Sequence, residues 1–213
     1  MLVARYTFDG SISAGRVIEM SGRGSAATIR SADHGVFTFN SLKTGHFIGF
    51  PSKCQDHAPV CPRAILEAPN DADLNPGPRR FRWGASIRVL TSQLTDSSNV
   101  VQKGLDNTES QWKMQIGPNH GKVQCVVVGL GSTQSYVVRS QTSVADGNWH
   151  RAQCERNGTS LAVAVDGVIR GRVAIPADLA ISNTRPLRIG GPNLSNVGDL
   201  YHGWLDEVFA TLG

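Results

Sequence analysis

Residues 145–171 constrain the fold of this chain more than any other segment. The first half alternates with a period of two, which is typical of a strand with one buried and one solvated face. The predicted buried face carries His150, Ala152 and Cys154, and the predicted solvated face carries Arg151, Gln153 and Glu155. Asn157-Gly158 and Asp166-Gly167 supply the positive φ angles of two tight hairpin turns. The segment therefore predicts three antiparallel strands in succession.

The rest of the chain continues this pattern of short strands and turns. Glycine (23) and proline (10) are frequent among the 213 residues, and no segment has a sustained helical period. Residues 111–116 alternate cleanly, and residues 123–128 are apolar at almost every position. The last strand, 204–211, should return beside the first, 2–8. We expect about fourteen strands in an all-β, two-sheet antiparallel β-sandwich, formed by residues 1–213 as a single domain.

The four cysteines make an even set. Cys54 and Cys61 flank a short loop, which favours a disulfide that closes the loop. Cys125 and Cys154 lie in apolar strands, so we expect a bond between those strands. Two disulfides are typical of exported proteins, and four buried thiols in a cytosolic protein are the alternative. A zinc site is disfavoured because the chain has no Cys-x-x-Cys pair.

The location and partners follow from charge and hydropathy. No apolar run approaches the ~20 residues of a membrane span, and a strand begins at residue 2 where a signal peptide would stand. We therefore expect a secreted, extracellular protein whose targeting segment has been removed, with no membrane insertion. The net charge of +4 is scattered, apart from Arg79, Arg80 and Arg82, and no nucleic-acid-binding motif is present. That cluster is either a solvated loop end or the partner of an anion.

Several motifs occur in order along the chain. Residues 145–171 contain Gly-x-Trp-His, a strand, Asn-Gly, and a strand that ends in Val-Asp-Gly. Residues 186–191 (PLRIGG) and 201–208 (YHGWLDEV) follow, while 6–10 (YTFDG) and 101–104 (VQKG) precede. Together they resemble the laminin-G-like domains of the concanavalin A-like lectin/glucanase superfamily, which are jelly-roll sandwiches. The resemblance says more about fold than about activity, because one fold hosts many functions.

The same resemblance implies a structural calcium ion, since relatives often join the opening segment to the penultimate strand through one. The implied ligand is Asp206, with help from Asp9 and from the loops near Gly24 and Gly45. Calcium prefers six to eight oxygen ligands, many of them loop carbonyls. A capping hydrogen bond at the start of a strand is the alternative role for Asp206. The chain departs from the family pattern at Glu19, which stands near the family's aspartate before Ser-Gly.

Evidence for catalysis is weak in this sequence. The glucanase pattern Glu-x-Asp-x-x-Glu, the lyase pattern Arg-x-Glu-x-Arg and the nucleophile pattern Gly-x-Ser-x-Gly do not occur. A lyase, or a groove for an acidic polymer, would use basic and amide side chains on an open sheet face. The candidates for that role are Arg88, Gln102, Lys103, Lys113, Gln115 and His120. Plain solvated surface is the alternative for these residues, and His150 and His202 are predicted to be hydrogen-bonded structural histidines.

These observations favour a non-catalytic, monomeric module that binds an extracellular polysaccharide or glycoconjugate, acidic ones included. A polysaccharide lyase or glycoside hydrolase on the same fold is one alternative, and a protein-adhesion module is another. Aromatic rings commonly stack on sugars, but core packing is the expected role of each tryptophan. The tryptophans are Trp83, Trp112, Trp149 and Trp204.

Overall fold

The computed structural model describes residues 1–10, 14–41, 45–55, 60–105, 108–118 and 120–213. Within these ranges the chain forms sixteen strands. They are β1 (Leu2–Tyr6), β2 (Arg16–Val17), β3 (Ala27–Ala32), β4 (Thr38–Ser41), β5 (His46–Gly49), β6 (Arg63–Ala68), β7 (Phe81–Leu90), β8 (Ser98–Lys103), β9 (Gln111–Ile116), β10 (Lys122–Val128), β11 (Ser135–Ser143), β12 (Asp146–Asn157), β13 (Ser160–Val165), β14 (Val168–Ala174), β15 (Leu187–Ile189) and β16 (Trp204–Leu212). The described helices are three short 3₁₀ turns, Ala72–Leu74, Thr91–Gln93 and Val197–Asp199.

The strands form two eight-stranded antiparallel sheets, as the sequence predicts. The front sheet has the order β14-β13-β12-β7-β16-β5-β4, and β1 pairs with β16 beside this path. The back sheet has the order β11-β10-β9-β8-β15-β6-β3-β2. The predicted return of the last strand to the first is confirmed, because Tyr6 in β1 lies opposite Val208 in β16.

Alternating side chains place the core between the two sheets. On β12, Ala152 and Cys154 are fully buried while Arg151 is exposed, as the period of two predicts. Trp83 of the front sheet and Trp112 of the back sheet are also fully buried, with ring centroids 5.6 Å apart. Burial of large aromatic surface from both sheets is the main force that holds the layers together. The core role expected for these two tryptophans is confirmed.

Both predicted disulfides are present. Cys54 and Cys61 are joined with a Cα–Cα distance of 5.5 Å. Cys125 in β10 and Cys154 in β12 are joined with a Cα–Cα distance of 5.6 Å. Since β10 belongs to the back sheet and β12 to the front sheet, the second bond crosses the core and ties the layers covalently.

A buried arginine fastens two loops to the front sheet. Arg156 is 1% exposed and lies near the end of β12. Its guanidinium donates hydrogen bonds to the carbonyl oxygens of Pro78, Ala177 and Leu179. Burial lowers the pKa of Arg156. These hydrogen bonds replace bonds to water that the guanidinium loses on burial. They also hold the loops before β7 and after β14 against the front sheet.

Candidate functional site

The outer face of the front sheet is formed by alternate residues of three adjacent strands. In the register, Arg151 of β12 lies opposite Ser86 of β7, and Gln153 lies opposite Gly84. Phe209 of β16 lies opposite Gly84 from the other side. The inward neighbours of these residues fill the core, so the outward ones face solvent. We call this surface the front face. Its residues are Arg5, Arg82, Ser86, Arg151, Gln153, Glu155, Glu207, Phe209 and Thr211.

Two connected clefts run across the front face. The larger, of about 500 Å³, is lined by Leu2, Arg5, Arg82, Ser86, Arg151, Gln153, Glu207, Phe209 and Thr211. The smaller, of about 300 Å³, is lined by Arg151, Gln153, Glu155, Ala162, Ala164, Gly167 and Ile169. The clefts share Arg151 and Gln153, so they form one depression across the strands from β1 to β14. Six strands about 4.8 Å apart give this depression a length of roughly 24 Å.

Phe209 is the aromatic centre of the larger cleft. Gly84 lets the ring lie close to the sheet, because a Cβ atom at Gly84 would stand 3.0 Å from the ring and 2.3 Å from the carbonyl oxygen of Ala152. The guanidinium carbon of Arg151 lies 5.7 Å from the ring centroid. Phe209 therefore presents a partly exposed apolar ring with a cation beside it.

The charges of the front face are unevenly paired. Arg5 binds Glu207 through two hydrogen bonds of 2.8 Å, and Arg80 binds Glu155 at 2.6 Å. Both carboxylates that line the clefts are therefore occupied. Across the described part of the chain, the side chain of Arg82 has no hydrogen bond or ion pair. Among the same described residues, the guanidinium of Arg151 contacts the ring of Phe209 and makes no hydrogen bond or ion pair.

One end of the front sheet carries an aromatic group. Trp149 and Phe47 meet edge to face with centroids 5.2 Å apart. The guanidinium carbon of Arg88 lies 5.0 Å from the ring centroid of Trp204, and its Nε donates to the carbonyl oxygen of Gly147 at 2.6 Å. Trp149 and Trp204 are partly exposed, unlike Trp83 and Trp112. The prediction of core packing therefore holds for two of the four tryptophans only.

His150 lies at the edge of this end, between two carboxylates. Its Nδ1 is 2.8 Å from Asp166 and its Nε2 is 3.1 Å from Asp146. Burial lowers the pKa of His150, but the hydrogen bonds to Asp166 and Asp146 outweigh it and the net shift is upward. The side chain is 17% exposed, so the predicted hydrogen bonding is confirmed and the predicted full burial is not.

Asp206 and Asp9 form an acidic group beside the front face. Burial raises the pKa of Asp206 to about 6, and the negative charges of Glu207 and Asp9 add to the effect. Oδ1 of Asp9 accepts the backbone N–H of His46 at 2.7 Å, and a Cβ atom at Gly45 would stand 2.6 Å from the same oxygen. The structure therefore brings together three of the four residues that the calcium hypothesis named.

The fourth, Gly24, belongs to a different network. Its N–H donates to Glu19, whose carboxylate also accepts the N–H groups of Ser21 and Arg5. Glu19 thus closes the opening loop with three backbone donors. Within the residues that the structure describes, no three or more His, Cys, Asp or Glu side chains are grouped as a metal site.

A family model described as the concanavalin A-like lectin/glucanases superfamily, with the name Laminin_G_3, matches residues 83–209. The chain belongs to this superfamily. The matched residues include most of β7, all of β12 and most of β16, the strands at the centre of the front face. A search of curated protein sequences gave no match.

Solved structures show the same fold for this concanavalin A-like domain. Domain 4 of AbnA, an extracellular arabinanase from Geobacillus stearothermophilus in complex with arabinotriose, has a TM-score of 0.72 and 16% identity, covering 100% of this chain and 92% of that one. The binding domain of botulinum neurotoxin DC in complex with SialylT has a TM-score of 0.66 and 9% identity, covering 98% of this chain and 47% of that one. Mouse laminin α1 domains LG4-5 have a TM-score of 0.51 and 18% identity, covering 69% of this chain and 38% of that one. The chain thus spans about half or less of the last two structures.

The predicted ligand residues do not share one surface of this concanavalin A-like domain. Arg88 lies on the front sheet, whereas Gln102, Lys103, Lys113 and Gln115 lie on the back sheet. Gln102 and Lys103 are 1% and 0% exposed. Gln102 and Lys103 therefore do not lie on the open sheet face that the hypothesis of a ligand groove required.

Local contacts explain the positions of these polar residues. Nζ of Lys103 donates to the side-chain oxygens of Asn75 and Asn183 at 2.8 and 2.9 Å, and burial lowers its pKa to about 8. Gln115 donates to Gln124 at 2.9 Å. His120 lies in the exposed turn before β10.

The residues that do line the clefts were visible in the sequence only in part. The alternation of residues 145–171 marks Arg151 and Gln153 as solvated, and Arg82 belongs to the one dense basic cluster. Phe209 carries no local signal. Only the pairing of β12 with β7 and of β7 with β16 joins these residues into one cleft.

Proposed function

We propose that this domain binds carbohydrate, free or on a glycoconjugate, in the cleft of the front face, and that it does so outside the cell. The observation that carries the proposal is the Phe209 ring, set in an open cleft that the polar side chains of Gln153 and Ser86 also line. An aromatic platform edged by polar donors suits a sugar ring, which has an apolar face and a hydroxylated rim. The fold-level likeness to a domain bound to arabinotriose and the two disulfides support this function and location.

Binding is favoured over catalysis by the state of the acids in the cleft. Hydrolysis by the usual route needs one carboxyl group as proton donor and a second as nucleophile or base. Both cleft glutamates, Glu155 and Glu207, are held by arginines. Because both carboxylate oxygens of Glu207 accept hydrogen bonds from Arg5, they are not free to act on a glycosidic bond. The face therefore supports recognition of a glycan better than cleavage of one.

The test is a binding screen on immobilised neutral and acidic glycans, followed by calorimetry on the best ligand with two front-face variants. Phe209→Ala removes the platform, and Gln153→Ala removes a hydrogen-bonding group. We expect Phe209→Ala to weaken binding about tenfold, which matches the upper part of the range for aromatic contacts. Phe39→Ala is the matched control, since Phe39 is an exposed aromatic on the edge strand β4. Absence of glycan binding, or equal losses in Phe209→Ala and Phe39→Ala, would rule the proposal out.

We also propose that calcium binds beside the front face, with Asp9 and Asp206 as carboxylate ligands. The raised pKa of Asp206 supports this, because an anion disfavoured by burial and by neighbouring negative charge is stabilised by a cation. The remaining oxygen ligands would come from loop carbonyls near Gly45, as calcium commonly accepts them. The ion would tie the chain after β1 to β16 and would take no direct part in sugar binding.

A further inference from the structure

The cationic side chains of the front face carry an inference about which glycans it accepts. Arg82 and Arg151 line the larger cleft from neighbouring strands, and Gly84 and Gln153 lie between them. Arg82 is four residues along β7 from Ser86, the partner of Arg151, so their backbone positions are about 14 Å apart. Arg82, Arg151 and Phe209 all line this cleft, so a ligand that spans it can reach both guanidinium groups and the ring.

The glutamates that line the clefts form ion pairs with Arg5 and Arg80, and not with Arg82 or Arg151. Arg5 takes Glu207 and Arg80 takes Glu155, and both acids that line the clefts are then used. Asp206 lies opposite Ser86 in the register but does not line either cleft, and its carboxylate accepts the N–H of Glu207 at 2.7 Å. Glu155 is the register partner of Arg82 but is bound by Arg80, and neither Arg82 nor Arg151 forms an ion pair with any described residue.

Arg151 is positioned to receive an anion. Its guanidinium carbon lies 5.7 Å from the centroid of the Phe209 ring, which is a cation–π contact. The N–H donors of the guanidinium make no hydrogen bond to any described residue, so they are available to a ligand. A fork of N–H groups matches the two oxygen atoms of a carboxylate or sulfate, and such charge-assisted bonds are about twice as strong as neutral ones.

We propose that the front face selects acidic glycans, with Arg82 and Arg151 each binding the oxygen atoms of a separate carboxylate or sulfate group while Phe209 contacts a sugar ring. This inference rests on the carbohydrate-binding function proposed above. A neutral glycan fills the same cleft without engaging either guanidinium, so the acidic ligand binds more tightly. The preference decreases with salt, because both arginines are accessible to solvent.

The experiment compares polygalacturonate, heparin and neutral arabinan by calorimetry at low and moderate salt. Polygalacturonate supplies carboxylates and heparin adds sulfates, so the two arms separate the sources of the anion. The variants are Arg82→Gln, Arg151→Gln and the double Arg82→Lys/Arg151→Lys. The matched control is Arg139→Gln, which removes the same charge from an exposed position on β11 of the back sheet.

We expect each single glutamine variant to weaken binding of the acidic polymer about tenfold. The lysine double variant keeps both positive charges but lacks the planar fork of donors, so its affinity should lie between those of the wild type and the glutamine variants. Binding of arabinan should change less than threefold in all variants. Thermal unfolding curves that match the wild type establish that the variants are folded.

Two results overturn the inference and are distinguishable from failure of the proposed function. If Arg139→Gln weakens acidic binding as much as Arg82→Gln and Arg151→Gln do, the attraction is unspecific. Suppose that arabinan binds, that Phe209→Ala weakens its binding, and that neither acidic polymer binds more tightly than arabinan. The front face then recognises neutral sugars, so this inference fails while the proposed function stands. If no glycan of either kind binds, the proposed function itself fails.

Discussion

The disulfide across the core gives the sharpest stability prediction. Cys125 and Cys154 are both fully buried and are 29 residues apart, which gives a loop-closure contribution of about 3.6 kcal/mol to the free energy of unfolding. Cys54 and Cys61 are 7 residues apart, which by the same relation gives about 2.4 kcal/mol. Replacement of both cysteines of a pair by alanine should therefore cost about 1.3 kcal/mol more for the core bond than for the loop bond. Lost packing of the buried sulfur atoms adds to this difference.

The assay is urea unfolding, followed by intrinsic fluorescence, of the wild type and the two double variants. For a domain of this size, the loss of about 3.6 kcal/mol corresponds to a fall in Tm of roughly 7–14 °C. Alanine is used in both pairs so that no hydroxyl group is buried in the core. If Cys125→Ala/Cys154→Ala costs less than Cys54→Ala/Cys61→Ala, the reasoning from loop length and burial is refuted.

Three further outcomes are expected from charged groups. Because the folded pKa of His150 is raised, its stabilising effect is full below its unfolded pKa of about 6.5 and is lost as pH rises through the folded value. The Tm advantage of the wild type over His150→Asn should therefore shrink as pH rises above about 6.5, and a constant difference would contradict this. Asp206 has a folded pKa of about 6, above its unfolded value, so without calcium stability falls as pH rises through this range. Asp206→Asn should therefore raise the free energy of unfolding at pH 7.5 in chelator by on the order of 1 kcal/mol after solvent screening, which appears as a higher Tm. It should also abolish any rise in Tm on addition of calcium. Arg156→Met removes the donor from the carbonyl oxygens of Pro78, Ala177 and Leu179, of which the last is buried, and should lower the free energy of unfolding by about 1–3 kcal/mol in urea. Arg156→Lys should recover part of the loss.

The sequence predicted individual strands far better than it predicted the site. On β12 the two faces follow directly from the residue types, because alternation is a local property of the strand. Lys103 shows the limit of that argument. It looks like a surface cation, but the loops that carry Asn75 and Asn183 lie over the back sheet and bind its ammonium group. The residues of β8 alone give no sign that these loops cover Lys103.

The strand pattern, the hairpins, the two cysteine pairs and the superfamily could be read from the sequence, since each depends on residues close in the chain or on recognisable motifs. That Arg82, Arg151 and Phe209 line one cleft became visible in the folded structure. These residues lie on three strands whose order in the sheet, β12-β7-β16, is not their order in the chain. Their neighbourhood is set by strand register and core packing over separations of more than 50 residues, and a local pattern contains no information on such distances.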